Sequence, residues 1–174
     1  MSGPIPAHIE PRKLVDREIV LKGTVVAVKM PRLSALLDAP AGDVQVELAF
    51  ARDAQGIATL HGHYQVEVAL ICQRCLEQVL VPLDSQCDVG FVTSDEAAKQ
   101  LPRHYEPVIM DDEPLDLHAL IEDELLLALP AVPMHPMETC QHPPGYQPDP
   151  EEPEVEKTEK PNPFSVLASL KRDT

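Results

Sequence analysis

Residues 43–52 alternate cleanly, with Val44, Val46, Leu48 and Phe50 on one face and Gln45 and Glu47 on the other. Side chains on a strand point to opposite faces in turn, so the run predicts a strand with one buried side. Asp53-Ala54-Gln55-Gly56 reads as a turn, and residues 57–72 resume the alternation with Tyr64, Val66, Val68, Leu70 and Cys72 in phase. Two such runs joined by a turn predict antiparallel neighbours. Upstream, residues 18–30 carry Ile19, Leu21, Val25, Val26 and Val28, a β-rich run with Gly23 as a candidate bulge. Residues 31–38 predict a short helix carrying Leu33, Leu36 and Leu37. Downstream, Gln73-Arg74 predicts a tight turn into a strand over 76–83, and Cys87, Val89 and Phe91 predict one further strand. Ser94 opens a short helix through Gln100 that Pro102 stops, and residues 105–110 predict a last strand.

At Asp116 the period changes. Leu117, Leu120, Ile121, Leu125 and Ala128 share one helical face, Asp116 is placed to cap the N-terminus, and Pro130 ends the run. The expected helix, over 117–129, exposes Glu122, Asp123 and Glu124. The fold class that follows is α+β: a mainly antiparallel β-sheet with one principal packing helix.

Beyond that helix the pattern stops. Residues 130–163 hold ten of the 19 prolines, and residues 149–159 carry six acids against Lys157 alone. Such composition buries little apolar surface and predicts an extended or disordered tether. It leads to Lys-Pro-Asn-Pro-Phe-Ser-Val-Leu-Ala-Ser-Leu-Lys at 160–171. Asn162 suits an N-cap and Pro163 the first helical position. Phe164, Leu167, Ala168 and Lys171 follow at i, i+3, i+4 and i+7, with Leu170 beside them, while Lys171 and Arg172 complement the helix dipole. A helix of about ten residues is not stable alone in water, so its apolar face must dock on the chain's own body or on a partner. The expected organisation is a single α+β domain over 1–136, an acidic proline-rich linker over 137–160, and a docking helix over 161–174.

Composition narrows the function. Of 174 residues 44% are hydrophobic but only 3% aromatic and none is Trp, so the core must come from Val, Leu, Ile and Ala. No secretory signal is read at the start, and no apolar run approaches the roughly 18 residues of a membrane span. Four cysteines without an export signal point to the cytoplasm, where thiols stay reduced or bind metal. Net charge is −15, unevenly spread. Residues 1–32 carry +3, from Arg12, Lys13, Arg17, Lys22, Lys29 and Arg32 against three acids, which leaves −18 on the remainder. Phosphate binding draws on Lys and Arg. Direct RNA contact is therefore confined to the N-terminal segment, and a basic protein partner suits the rest of the chain better.

Candidate chemistry centres on Cys72-Gln-Arg-Cys75 at a strand–turn–strand corner, the shape of half a zinc knuckle. Tetrahedral zinc needs two more ligands, for which His135 and Cys140 stand after the packing helix, with Cys87 and His142 as substitutes. Two other readings compete. The cysteines can be small packing residues of a turn, or a redox pair. A redox pair needs its first Cys at a helix N-terminus, whereas 76–83 reads as strand. Glu122-Asp123-Glu124 invites a metal-dependent nuclease, but consecutive helix positions diverge by about 100°, so that Glu124 alone can face inward and a solvated face is favoured. His61 and His63 flank Gly62 and read as strand residues. Phosphate-loop, nucleophile-elbow, zincin and dinucleotide motifs are absent from the sequence.

Three segments, the 160–171 tail, Cys-Gln-Arg-Cys-Leu at 72–76 and Glu-Asp-Glu-Leu-Leu-Leu-Ala-Leu-Pro-Ala-Val-Pro-Met-His at 122–135, resemble the YceD family in type and order. The first seventy residues match only loosely. The resemblance implies a soluble bacterial or plastid protein needed for synthesis, processing or stability of 23S ribosomal RNA, with no established enzymatic activity or mechanism. Some members carry a second cysteine pair after the Ala-Leu-Pro segment, which resembles a four-thiolate site. This chain offers His135 and Cys140 there instead. On this reading a ribosomal or ribosome-assembly protein, basic in charge, docks on Asn162, Pro163, Phe164, Leu167 and Leu170. The alternatives are an RNA-processing enzyme and a direct RNA-binding module using the basic N-terminal segment.

Overall fold

The computed structural model of the chain describes residues 2–110 and 113–140. The expected linker beyond Cys140 and the expected helix over 161–174 lie outside them, as do Asn162, Pro163, Phe164, Leu167 and Leu170. Three long strands make the centre: β4 (Asp43–Arg52), β5 (Ala58–Ile71) and β6 (Gln78–Val92). Around them come β1 (Ser2–Pro4), β2 (His8–Ile9), β3 (Val20–Val26), β7 (Glu106–Ile109) and β8 (Leu115–Asp116). The helices are α1 (Pro11–Val15), α2 (Pro31–Ser34), α3 (Asp95–Ala98) and α4 (Leu117–Ala128). The architecture is α+β. Six strands pair in the order β1-β3-β4-β5-β6-β7, and β2 and β8 form a small second sheet.

The alternation places the core. Val44, Val46, Leu48 and Phe50 of β4 are buried with Leu60, Tyr64, Val66, Val68 and Leu70 of β5, and Val79, Leu83, Cys87, Val89 and Phe91 of β6 complete that face. Leu117, Ile121 and Leu125 of α4 join the same core. Asp116 accepts a hydrogen bond from Ala119 N at 3.0 Å, the expected cap, and Ser94 accepts from Ala97 N at 3.2 Å.

Several expectations change. The run over 76–83 and the one carrying Cys87, Val89 and Phe91 are a single strand, β6, whose pairing with β5 passes unbroken through Pro82 opposite Glu67. Proline is tolerated there because β7 covers β6 only from Val89 to Val92, leaving that stretch of β6 at an edge. The sheet is antiparallel at its centre, but β1 runs parallel to β3 and β7 parallel to β6. Gly23 makes no bulge, since β3 pairs continuously with β4. A Cβ at Gly23 would lie 1.7 Å from the Gly3 carbonyl oxygen, so the glycine admits the backbone of β1. Beyond Pro136 the described chain makes a further turn. Thr139 N and Cys140 N both donate to Pro136 O, at 3.1 and 3.0 Å, and Cys140 packs against the core.

The largest correction falls on α4. Glu122 and Glu124 are buried, at 4% and 6% exposure, and only Asp123 of the acidic triplet faces solvent. Glu122 caps another helix. Met30 gives α2 no side-chain cap, and Glu122 Oε1 instead accepts from Arg32 N at 2.7 Å and Leu33 N at 3.0 Å. Its Oε2 accepts from Arg32 Nε at 2.9 Å. Among the described residues no helix is long and apolar enough to cross a membrane.

Candidate metal centre

The hairpin between β5 and β6 closes on its last pair, Ile71 with Gln78, and residues 72–77 form the turn. Cys72 N donates to Glu77 O at 2.9 Å, and Leu76 N donates back to Cys72 O at 3.0 Å. Leu76 sits at φ 62°, in the left-handed region, where the chain turns back to bring Glu77 O to Cys72 N. A leucine there costs on the order of 1–2 kcal/mol. The turn thereby aims both thiols inward, with Cys72 fully buried and Cys75 at 4% exposure.

The second arm comes from the end of α4. Leu129 leaves the helix with extended backbone (φ −62°, ψ 133°) ahead of Pro130, and the chain turns back across the hairpin. Gln73 N donates to Pro133 O at 2.9 Å, and the Arg74 guanidinium reaches the Met134 sulfur at 3.5 Å. These bonds bring His135 over the turn, and the tight turn at Pro136 delivers Cys140. Two segments 60 residues apart thus meet at one point.

The four donor atoms of Cys72, Cys75, His135 and Cys140 all lie within 4.8 Å of one another. Cys72 Sγ is 3.8 Å from Cys140 Sγ, and Cys75 Sγ is 3.3 Å from His135 Nδ1. A tetrahedron with zinc–sulfur bonds near 2.3 Å has a sulfur–sulfur edge of about 3.8 Å, and its sulfur–nitrogen edge is about 3.5 Å. The spacing therefore fits a tetrahedral Cys3His site. The imidazole adds an independent test. His135 Nε2 lies 3.0 Å from the Gln78 carbonyl oxygen, which can only accept, so Nε2 carries the proton and Nδ1 turns its lone pair to the thiols. That is how an outer-shell carbonyl orients a metal-binding histidine.

The electrostatics also favour charge on sulfur. Burial opposes ionisation of Cys72, but backbone N–H groups of Cys75, His135 and Arg74, with the Cys75 side chain, outweigh it and hold the thiol at about 5. One of these bonds, from His135 N to Cys72 Sγ, measures 3.4 Å. Cys140 is pushed the other way, by burial and by its two cysteine neighbours. The surroundings thus favour charge on Cys72 and oppose it on Cys140. A divalent ion removes that conflict.

The other sequence candidates go elsewhere. Cys87 is not a substitute ligand: its sulfur lies 3.3 Å from the Tyr64 hydroxyl, and burial raises its pKa to about 11. His142 falls outside the described residues. His61 pairs with Asp88 and His63 with Asp84 on the outer face of the sheet, as strand residues. Half of the N-terminal cations are matched by acids, Lys13 by Glu10, Lys22 by Glu47, and Arg32 by Glu122 and Asp123.

Two further polar side chains are buried away from the four donors. Tyr64 turns its hydroxyl over Gly62, where a Cβ would lie 2.2 Å from that oxygen. Glu124 is raised to about 7, by burial first and then by the charge and hydrogen bond of Glu106. The Tyr64 hydroxyl meets Cys87 on the neighbouring β6, and Glu124 meets Glu106 at the start of β7.

The comparisons with known proteins agree with this geometry in extent. The profile of the family described as large ribosomal RNA subunit accumulation protein YceD matches residues 60–171, which include all four metal-site candidates. The chain is 37% identical over 169 residues to the large ribosomal RNA subunit accumulation protein YceD of Haemophilus influenzae, covering 97% of each chain. No solved structure matches. A profile match over more than half of the chain and a full-length relative at this identity lead to one conclusion: the chain belongs to the YceD family.

Proposed function

We propose that this chain is a non-enzymatic factor of large-subunit ribosome biogenesis, supporting the accumulation of 23S ribosomal RNA in the cytoplasm through protein contacts. The family match supports the process. The observation that carries the non-enzymatic part is the composition of the Cys3His cluster. Four protein donors fill a tetrahedral shell, as in structural zinc sites, whereas catalytic zinc keeps a position open for water or substrate. Zinc in this cluster would hold the segment after α4 against the β5–β6 turn. Cys72, Cys75 and Cys140 would supply thiolates and His135 a neutral imidazole, and the metal's role would be cross-linking.

The partner is a ribosomal or ribosome-assembly protein of basic character, suited to a chain of net charge −15. The segment with Asn162, Pro163, Phe164, Leu167 and Leu170 is its principal docking element, read from helical spacing on a proline-rich tether. In cells lacking the gene, the natural chain should restore the 23S to 16S RNA ratio and the large-subunit peak on a sucrose gradient. A chain with Phe164→Ala and Leu167→Ala should fold normally and restore neither. Turnover of precursor 23S RNA by purified protein with added divalent metal would instead favour a processing enzyme. RNA binding that weakens steeply with salt, and is lost on replacing Arg12, Arg17 and Lys29, would favour direct RNA contact.

A further inference from the structure

We propose that an apolar groove beside the metal centre is the docking site for an amphipathic, lysine- or arginine-bearing helix of the protein partner. The inference rests on the reading of this chain as a biogenesis factor that works through protein contacts. The groove encloses about 370 Å³. Leu36 from the α2–β4 connection, Leu70 and Ile71 from the end of β5, and Leu126, Leu129 and Pro133 from the end of α4 and the segment after it line the groove. Leu36 is 60% exposed and Ile71 36%, and Ala131 on the segment after α4 is exposed as well. Exposed apolar side chains clustered round one hollow mark an interaction site more often than isolated ones do.

The lining selects the kind of occupant. Its one polar side chain, Gln73, is committed: its backbone N–H goes to Pro133 O at 2.9 Å and its amide to Ile71 O at 3.1 Å. A small polar metabolite would find few groups to orient it, whereas leucine-like side chains one helical turn apart need only apolar walls. Charge then selects the flanks. The groove lies at the C-terminal end of α4, whose last turn contains no basic residue to offset its carbonyl dipoles. With net charge −15 on the chain, cationic residues flanking the apolar anchors are favoured and acidic ones repelled.

The test uses the full chain, zinc-loaded, and a fluorescein-labelled synthetic helix of fifteen residues. The helix is built from Leu, Ala and Lys, with leucines at i, i+3, i+4 and i+7. Fluorescence anisotropy at physiological salt should show saturable binding. Leu36→Asp and, separately, Ala131→Asp should each weaken it at least about tenfold, with the melting temperature unchanged, because both residues line the groove and are exposed. A peptide of scrambled order that binds equally well, or one with Glu for Lys that does, overturns the proposal. So does insensitivity to both substitutions. A dimer in sedimentation that Leu36→Asp dissolves would assign the groove to a second copy. Tighter peptide binding by a chain with Phe164→Ala and Leu167→Ala would assign it to the chain's own C-terminal segment, and either result overturns the partner assignment. Failure of the peptide while the natural chain still restores 23S RNA rejects the groove alone. Failure to restore 23S RNA rejects the biogenesis reading beneath it.

Discussion

Replacing Glu122 by alanine should cost this fold more than any other surface-charge change on α4, although the sequence presents the residue as part of a solvated triplet. Its carboxylate accepts from Arg32 N, Leu33 N and Arg32 Nε at 2.7, 3.0 and 2.9 Å. Leu33 is wholly buried, so its N–H cannot turn to water once the carboxylate is gone. An orphaned buried donor costs about 1–3 kcal/mol, and the partly buried Arg32 N–H adds something at the lower end. The half-exposed Arg32 guanidinium rehydrates and changes little. The expected loss is about 2–4 kcal/mol, or about 10 °C in melting temperature for a domain of this size. Glu122→Gln keeps the Oε1 acceptor for both backbone donors and should lose only about 1 kcal/mol, which separates capping from charge pairing. Urea and thermal unfolding of the full chain at pH 7, followed by circular dichroism, measure both. A Glu122→Ala protein within 2 °C of the natural chain, or a Glu122→Gln protein as unstable as it, would show that the carboxylate does not cap α2 in solution.

Purified protein should carry up to one zinc per chain by atomic absorption; chelation should lower the melting temperature, and Cys75→Ser should abolish both the zinc and the response to chelator. Cobalt substitution should give thiolate charge-transfer bands that Cys72→Ser removes, whereas Cys87→Ser leaves them unchanged. Gly62→Ala should destabilise by about 1–3 kcal/mol through collision with the Tyr64 ring, and Tyr64→Phe in the same chain should recover part of the loss in denaturant titrations, since it removes the closest oxygen. Glu124, raised from the ordinary 4.5 to about 7 by burial and by Glu106, holds its proton in the folded state over a range where the unfolded chain has released it. Stability from this group is full below pH 4.5 and declines up to about pH 7, so Glu124→Gln should raise the melting temperature at pH 8 and change it little at pH 4.5.

The reach of the sequence follows the range of the forces. Period-two runs over β4 and β5, the Asp116 and Ser94 caps, the Asp53–Gly56 turn and the stop at Pro130 are decided within a few residues. They were legible for that reason. The Cys72/Cys75 half of the candidate metal centre was equally local, because its spacing belongs to one turn. That His135 and Cys140 join it, while Cys87 turns to Tyr64, depends on how the chain after α4 folds back across the β5–β6 turn, and hydrogen bonds such as Gln73 N to Pro133 O decide that. The parallel seating of β1 and β7 is likewise invisible locally, since a short edge strand takes its direction from whatever edge the long strands leave open. Glu122 shows the limit most clearly. Hydrophobic periodicity assigns a carboxylate to water, and it is right unless another element supplies donors. The uncapped start of α2 supplies two, and only the tertiary structure brings them within 3.0 Å.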